Sequence, residues 1–238
     1  MAQGVLPFKY ETGKKAAGMT APGGLPAYLD LAHKIGISKS IHTHLKVRAG
    51  GQGWTDNEMV LALVLLHLAG GDCVDDIKVL EADDGFCYEQ LRLPFATVGR
   101  KGIRYKVHGI VTNMDWDGEA LIAWYHQGCG KSEQAHAVMK EDLAGGNLPS
   151  GAFGVNAAWW WIMILALNLN AMMKKMALGK GFQPRRMKAI RFSLIHLPGR
   201  VVYRSRCLII RLTTHHPSLE LLVGARRRIA MLKPLPYG

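Results

Sequence analysis

The chain has 238 residues, of which 49% are hydrophobic and 20% are charged, so it has the material for a hydrophobic core and global disorder is excluded. Its net charge of +12 and pI near 9.7 favour a polyanionic partner. The charge is uneven: residues 174–238 hold fifteen Lys and Arg and the single acid Glu220, whereas residues 1–173 hold fifteen bases and seventeen acids. The basic character therefore belongs to the C-terminal quarter.

Cysteine spacing and the N-terminal sequence indicate a cytosolic protein. The four cysteines are widely scattered and form no close pair of the kind that zinc sites and disulfide frameworks use. The N-terminal residues contain no apolar segment typical of a signal peptide. The most membrane-like stretch, 157–169, is too short to span a bilayer, and we predict a buried helix there. We therefore expect a cytoplasmic protein that does not bind membranes.

The N-terminal part is predicted to be helical from Leu25 to about Leu93. Thr55 and Glu58 have the spacing of a capping box, which predicts a helix that continues to Ala69. Gly70 and Gly71 are predicted to end it.

Two further features of the N-terminal part bear on local structure. Asp72 is in position to cap the next helix. His42 and His44 are two residues apart and would share a face on a strand, but we favour an exposed loop over a metal site.

The middle of the chain is predicted to contain a strand and two helices. Residues 103–112 are rich in β-branched and aromatic residues, which is typical of a strand. A helix is predicted to begin near Asp115 or Asp117. Gly128 and Gly130 are predicted to separate it from a second helix.

The C-terminal part is predicted to begin with a long, mostly apolar helix, Phe153–Leu178. We interpret its three consecutive tryptophans, at 159–161, as core or interface residues rather than a base-stacking platform. Segments 192–197 and 200–212 have strand character, and Pro198 and Gly199 form a turn between them.

Arginines recur in the C-terminal part with regular spacing. Arg200, Arg204 and Arg206 would project from one face of a single strand. Ser218 is in position to cap a last helix, which bears Arg226, Arg227 and Arg228. Fifteen bases against one acid favour contact with nucleic acid over a mixed, solvated surface, so we predict that these six arginines bind DNA.

The segment YHQGCGKSEQAHAVMKEDLAGG, which begins at Tyr125, resembles the C-terminal catalytic motif of DDE-type bacterial insertion-sequence transposases. In that family a Tyr, an Arg, a Glu and a Lys recur at nearly fixed spacing. Tyr125, Glu133 and Lys140 occupy three of these places, whereas Gly128 stands in the Arg place and the interval from Tyr to Glu is one residue longer than the commonest form. GGLPAYLDLAHKIGI and IRFSLIHLPGRVVYRSRCLIIRL are similar to the same family.

The resemblance implies a role for each matching residue. Glu133 would be the third metal-binding carboxylate and a catalytic residue, with Mg²⁺ as the cofactor. Tyr125 and Lys140 would contact DNA phosphates. From the residues alone, Glu133 is an ordinary helix carboxylate, and Glu133, His136 and Lys140 would share one face of an α-helix.

The resemblance also implies a loss. Family members carry an RNase H-like sheet with two catalytic aspartates, and neither aspartate motif occurs here; Asp115 and Asp117 follow the family's late strand and are not assigned. The predicted fold is therefore α+β, the remnant of an RNase H-like transposase that lacks most of its central sheet. Its predicted regions are a helical N-terminal region (1–93), a deletion seam (94–103), a catalytic remnant (104–146) and a C-terminal DNA-contacting region (147–238).

These features predict a transposase-family protein that is catalytically inactive, because one glutamate cannot position the two Mg²⁺ ions of a phosphoryl transfer. The alternative is a truncated DNA-binding inhibitor of the intact transposase; an unrelated basic DNA-binding protein is a third interpretation. The expected partners are transposon-end DNA and either the intact transposase or a second copy. With the sheet missing, we expect the strand at 103–112 and the long helix to lack packing partners.

Overall fold

The computed structural model describes residues 3–13, 19–47, 53–77, 112–204, 207–213 and 216–233, and at 126–132 the backbone alone. Contacts divide the chain into two compact units. We call residues 1–86 with 136–238 the terminal unit and residues 87–135 the central unit. The terminal unit contains residues from both ends of the chain.

Helices and a small sheet make up the described residues, which confirms the α+β class. The strands are β1 (Phe8–Gly13), β2 (Gly199–Arg204) and β3 (Cys207–Thr213). The α-helices are α1 (Pro26–Lys34), α2 (Ile37–His44), α3 (Asp56–Ala69), α4 (Gly118–Ala137), α5 (Phe153–Met172), α6 (Met187–Ile190) and α7 (Ser218–Met231). Helices α4, α5 and α6 continue as π-helical turns, at Val138–Asp142, Met173–Leu178 and Arg191–Ile195, and 3₁₀ turns occupy Val74–Asp76 and Lys180–Phe182.

The sheet joins the two ends of the chain. Central strand β3 pairs in parallel with β1, with Phe8 opposite Leu208, and antiparallel with β2, with Gly199 opposite Leu212. One face packs on the core, where Tyr10 and Leu212 are buried. Helices α1 and α7 pack against each other beside β1. The N-terminal and C-terminal regions therefore share one hydrophobic core.

The long apolar helix is confirmed over Phe153–Leu178. Trp159, Met163 and Ala166 recur at the spacing of one helix face and are buried, and this face packs against α3. The expectation that the long helix lacks packing partners is therefore wrong for this face. Trp159 is a core residue as predicted, whereas Trp161 is 69% exposed.

The same 26-residue helix is long and apolar enough to cross a membrane, by length and composition, and it is the one such helix within the described ranges. It is longer than the apolar stretch 157–169 on which the prediction of a non-membrane helix is based. The burial of one face in the protein core is what a core helix requires.

The capping box of α3 is confirmed. The Glu58 N–H donates to Thr55 Oγ1 at 3.2 Å, and the Thr55 N–H donates to the Glu58 carboxylate at 2.8 Å. Gly70 ends the helix in the left-handed region at φ 97°, where a side chain would be strained. The last helix also begins at Ser218 as predicted, although Pro217 rather than Ser218 is its N-cap.

Two N-terminal predictions are wrong. Asp72 does not cap the turn after Gly71, because the Asp76 carboxylate accepts the N–H groups of Asp72 and Cys73 at 2.8 and 3.1 Å. His42 and His44 lie exposed on α2 rather than in a loop.

The predicted break at Gly128 and Gly130 is also wrong. Helix α4 runs through both glycines, whose cost of about 1 kcal/mol each does not interrupt it. The helix begins beside Asp117 as predicted, since the Asp117 carboxylate accepts the Glu119 N–H at 3.1 Å.

The predicted strand at 192–197 is helical instead. Met187, Ile190 and Leu194 are buried at spacings of three and four residues, which is the period of a helix. The β-branched residues among them favour a strand prediction instead. The predicted strand at 200–212 is two strands, β2 and β3, paired as a hairpin. The predicted seam at 94–103 and the predicted strand at 103–112, except Thr112, lie outside the described residues.

Candidate nucleic-acid interface

Two of the motif residues, Tyr125 and Glu133, lie on α4 within the central unit. Both side chains are exposed to solvent. In the same unit, Trp116 and Trp124 pack edge to face, with their ring centres 5.8 Å apart. The assigned roles of Tyr125 and Glu133 stay a prediction.

Lys140 lies in the π-helical turn Val138–Asp142 of the terminal unit, and its side chain is exposed. Glu133, His136 and Lys140 are predicted to share one face of an α-helix. The α-helix ends at Ala137, so α-helical spacing does not extend to Lys140. The predicted phosphate contact of Lys140 is compatible with its exposure but stays a prediction.

The segment after Lys140 is anchored to the terminal unit by buried polar contacts. His67 Nδ1 donates to the Leu143 carbonyl at 2.9 Å, and the Arg191 guanidinium donates to the Asp142 carbonyl and, at 2.9 Å, to the His67 carbonyl. The Arg186 guanidinium lies 3.3 Å from the buried Asp142 carboxylate. Arg191 thus connects the end of α3 to the end of the π-helical turn that carries Lys140.

Carboxylates in the described residues do not form a metal site. No group of three or more His, Cys, Asp or Glu side chains within the described ranges lies close enough together to hold a metal ion. Asp117 is engaged at the start of α4, and Glu141 and Asp142 are paired with Arg186. A hard cation such as Mg²⁺ prefers several oxygen ligands, so these side chains do not fit it.

The six predicted DNA-binding arginines have different environments. On β2, Arg200 is half-buried and Arg204 is exposed, and the described residues contain no ion-pair partner for either. Arg206 lies outside the described residues. On α7, Arg227 is exposed, whereas Arg228 uses its Nε to donate to the Ala177 carbonyl at 2.5 Å.

Arg226 does not lie on a surface. Its side chain is 0% exposed, and its Nε donates to Asp30 Oδ2 at 2.5 Å. A phosphate cannot reach a guanidinium that is enclosed and already paired in the core, so the prediction that Arg226 binds DNA is wrong. A helix distributes consecutive residues around its axis, so three consecutive arginines cannot all lie on one exposed face. The sequence of the run alone does not show which of them is buried.

Two basic residues that the sequence analysis missed join Arg200 and Arg204 on one face of the sheet. We call this the outer face; it comprises Lys9 and Glu11 of β1, Arg200 and Arg204 of β2, and Cys207 and Arg211 of β3. Lys9 Nζ lies 3.1 Å and Arg211 Nε 3.8 Å from the Glu11 carboxylate. The alternation of apolar and charged residues at 8–11 is a strand signal that could have revealed Lys9 and Glu11.

Comparison with known proteins places this geometry in a family. The model of the family "Transposase DDE domain group 1" matches residues 96–234. The chain belongs to this transposase family. The match covers Tyr125, Glu133 and Lys140 as well as β2, β3 and α7.

Neither the curated proteins nor the solved structures contain a match to this transposase-family chain. Members of the family generally use a divalent metal and act on DNA. The matched residues include the basic C-terminal part, so the arginines of β2, β3 and α7 lie within the family domain, whereas Lys9 and Glu11 of β1 lie outside it.

Proposed function

We propose that this transposase-family chain binds DNA but does not cleave it, because it lacks the carboxylate set of the family. The absence of any three-ligand group from the described residues supports the proposal. Two-metal phosphoryl transfer requires carboxylates that hold both cations in line with the attacking and leaving oxygens. Glu133 is exposed and would be one remaining ligand of that set.

An internal deletion accounts for this loss. The family match begins at residue 96, inside the predicted seam 94–103, and this supports a junction there. The deleted segment would be most of an RNase H-like sheet with both aspartates. The chain would then comprise the helical region 1–93, the seam, the catalytic remnant 104–146 and the DNA-contacting region 147–238.

DNA binding rests on charge and exposure. Arg200, Arg204 and Arg227 have no ion-pair partner in the part of the chain that the structure describes, and a phosphate backbone is a polyanion that such residues can neutralise. Arg228, Tyr125 and Lys140 are further proposed contacts, with transposon ends as the DNA. We place the protein in the cytoplasm, off the membrane, because its family acts on DNA and its scattered cysteines suit a reducing compartment.

A second candidate function is a truncated inhibitor of the intact transposase. The shared core of the two chain ends favours it, because a folded terminal unit could occupy transposon ends without cutting them. It could also associate with the intact enzyme. Repeated occurrence of the same deletion endpoints beside an intact copy would favour an inhibitor, whereas varied endpoints would favour decay.

Incubation of the purified chain with transposon-end DNA at several Mg²⁺ and Mn²⁺ concentrations tests the proposal. We expect DNA to be bound but neither nicked nor joined, and we expect no change with Glu133→Ala. In a chain with the missing sheet restored, Glu133→Ala should abolish cleavage and leave end binding nearly intact. Metal-dependent cleavage by the present chain that disappears with Glu133→Ala would overturn the proposal and point to Asp115 or Asp117 as replacement ligands.

A further inference from the structure

We propose that the outer face of the sheet is a binding surface for the phosphate backbone of duplex DNA, formed jointly by both ends of the chain. The inference rests on the proposed DNA binding and adds the N-terminal strand to it. Its starting observation is the register of the three strands. Glu11, Arg211 and Arg200 occupy one row across β1, β3 and β2.

Arg200 and Arg211 stand directly opposite each other in an antiparallel pair. Like charges in this position destabilise a sheet, because neighbouring strands are only about 4.8 Å apart. The single acid of the outer face, Glu11, lies 3.8 Å from Arg211 and contacts Lys9 more closely, at 3.1 Å. An unrelieved repulsion thus remains at Arg200, and a bound phosphate would relieve it.

The shape of the outer face suits an extended polyanion. An open depression of about 350 Å³ lies among Lys9, Arg204 and Arg211, with Ile209 on its floor. Ile209 is only 5% exposed, so the surrounding charged side chains cover the apolar floor. On the opposite face, Phe8, Tyr10, Ile210 and Leu212 pack into the hydrophobic core and anchor β1 and β3 to it. Four cations on an anchored sheet can contact a backbone without reading its sequence.

Glu11 has a specific role in this arrangement: it is an internal competitor for the phosphate. Its carboxylate engages Lys9 and Arg211 in the free protein, so both cations become available only when Glu11 is displaced or neutralised. Removing this charge should therefore strengthen DNA binding. If the ion pair were merely structural, loss of Glu11 would only remove a stabilising contact and would leave DNA binding unchanged.

The first test is fluorescence anisotropy of a labelled duplex across a salt series with the full chain. We expect Arg211→Gln to flatten the log–log slope by about 0.9, the value of one phosphate contact, and Glu11→Gln to tighten binding and steepen the slope. The matched control is Lys46→Gln, which removes an exposed charge outside the sheet and should change neither. Far-UV circular dichroism establishes that each variant is folded.

The second test needs no variant. Cys207 lies on the outer face opposite Arg204, whereas Cys73 is exposed outside the sheet. Bound duplex should slow alkylation of Cys207 by N-ethylmaleimide severalfold and leave Cys73 unchanged, as read by peptide mass spectrometry. Equal protection of Cys207 by polyglutamate would overturn the assignment and indicate an acidic polypeptide as the ligand.

Failure of this inference and failure of the proposed function give different results. If duplex binds but Glu11→Gln, Arg211→Gln and Cys207 alkylation show no effect, the outer face is not the surface, and the remaining arginines carry the DNA binding. If no duplex binds at low salt, both the inference and the proposed function are wrong.

Discussion

Arg226 and Asp30 form a buried ion pair that ties the last helix to the first. Besides Asp30, the Arg226 guanidinium donates to the Phe8 and Leu6 carbonyls at 2.7 and 3.1 Å, and it lies 3.5 Å from the centre of the Phe8 ring. The Leu6 N–H donates to Asp30 Oδ1 at 2.7 Å. One arginine thus fixes α7, α1 and the start of β1.

Replacing Arg226 by Met should lower the free energy of unfolding by about 3–5 kcal/mol, because it leaves the Asp30 carboxylate buried without its partner. The neighbouring change Arg227→Met removes an exposed side chain and should stay within about 0.5 kcal/mol of the parent. Urea denaturation of both variants gives the comparison. Equal effects of the two changes would contradict the structural role of Arg226.

Neutralising Arg227 and Arg228 together should weaken duplex binding and flatten its salt dependence. Five or six phosphate contacts would give the parent chain a log–log slope near −5, and loss of two contacts should reduce its magnitude by up to about 1.8. Anisotropy titrations from low to moderate salt measure this slope. Arg226 is left intact in this variant because its loss would act through folding, and an unchanged slope would exclude α7 from the interface.

Acidification should destabilise the terminal unit through His67. The pKa of His67 is about 4, below its usual 6.5, because burial disfavours the imidazolium; the hydrogen bond to the Leu143 carbonyl opposes this, and the charge of Arg191 adds to it. Between pH 6.5 and about 4 the unfolded chain binds a proton that the folded protein does not, so the free energy of unfolding falls as the pH falls, by up to about 3 kcal/mol.

The variant His67→Gln isolates this contribution. It should be less stable than the parent at pH 7, but its stability should depend less on pH between 6.5 and 4. The pKa of His196 is also lowered by burial, so His196 likewise lowers the free energy of unfolding as the pH falls. It is present in both proteins and does not affect their comparison. Identical pH dependence of parent and variant in urea denaturation would show that His67 binds its proton in the folded state.

Gly24 should tolerate no side chain. A Cβ atom at Gly24 would lie 1.5 Å from the Leu194 carbonyl oxygen, so Gly24→Ala must displace backbone and should cost about 3 kcal/mol or more. In contrast, Gly224→Ala inside α7 meets only the Arg228 side chain at 3.7 Å and should stabilise that helix by about 0.5–1 kcal/mol. Thermal unfolding of the two variants should therefore move in opposite directions.

Local signals in the sequence predicted α3 and the long helix from Phe153, since the capping box at Thr55, the stop at Gly70 and the apolar run act over a few residues. The strand β1 was missed because its local signal, the alternation at residues 8–11, covers only four residues, and its partner β3 is remote in the sequence. Burial of Arg226 was missed for the same reason, because only the fold brings Asp30 beside it. The family motif located Glu133 but carries no information on the surroundings of its side chain.

The parallel pairing of Phe8 with Leu208 has a consequence for synthesis on the ribosome. Strand β1 emerges before its partner, which is translated 200 residues later. At typical elongation rates of about 5–20 residues per second, β1 waits roughly 10–40 s before it can pair. During this interval its apolar side, with Phe8 and Tyr10, has no sheet to join. A nascent chain halted before Cys207 would keep that edge open and become a substrate for chaperones or proteases.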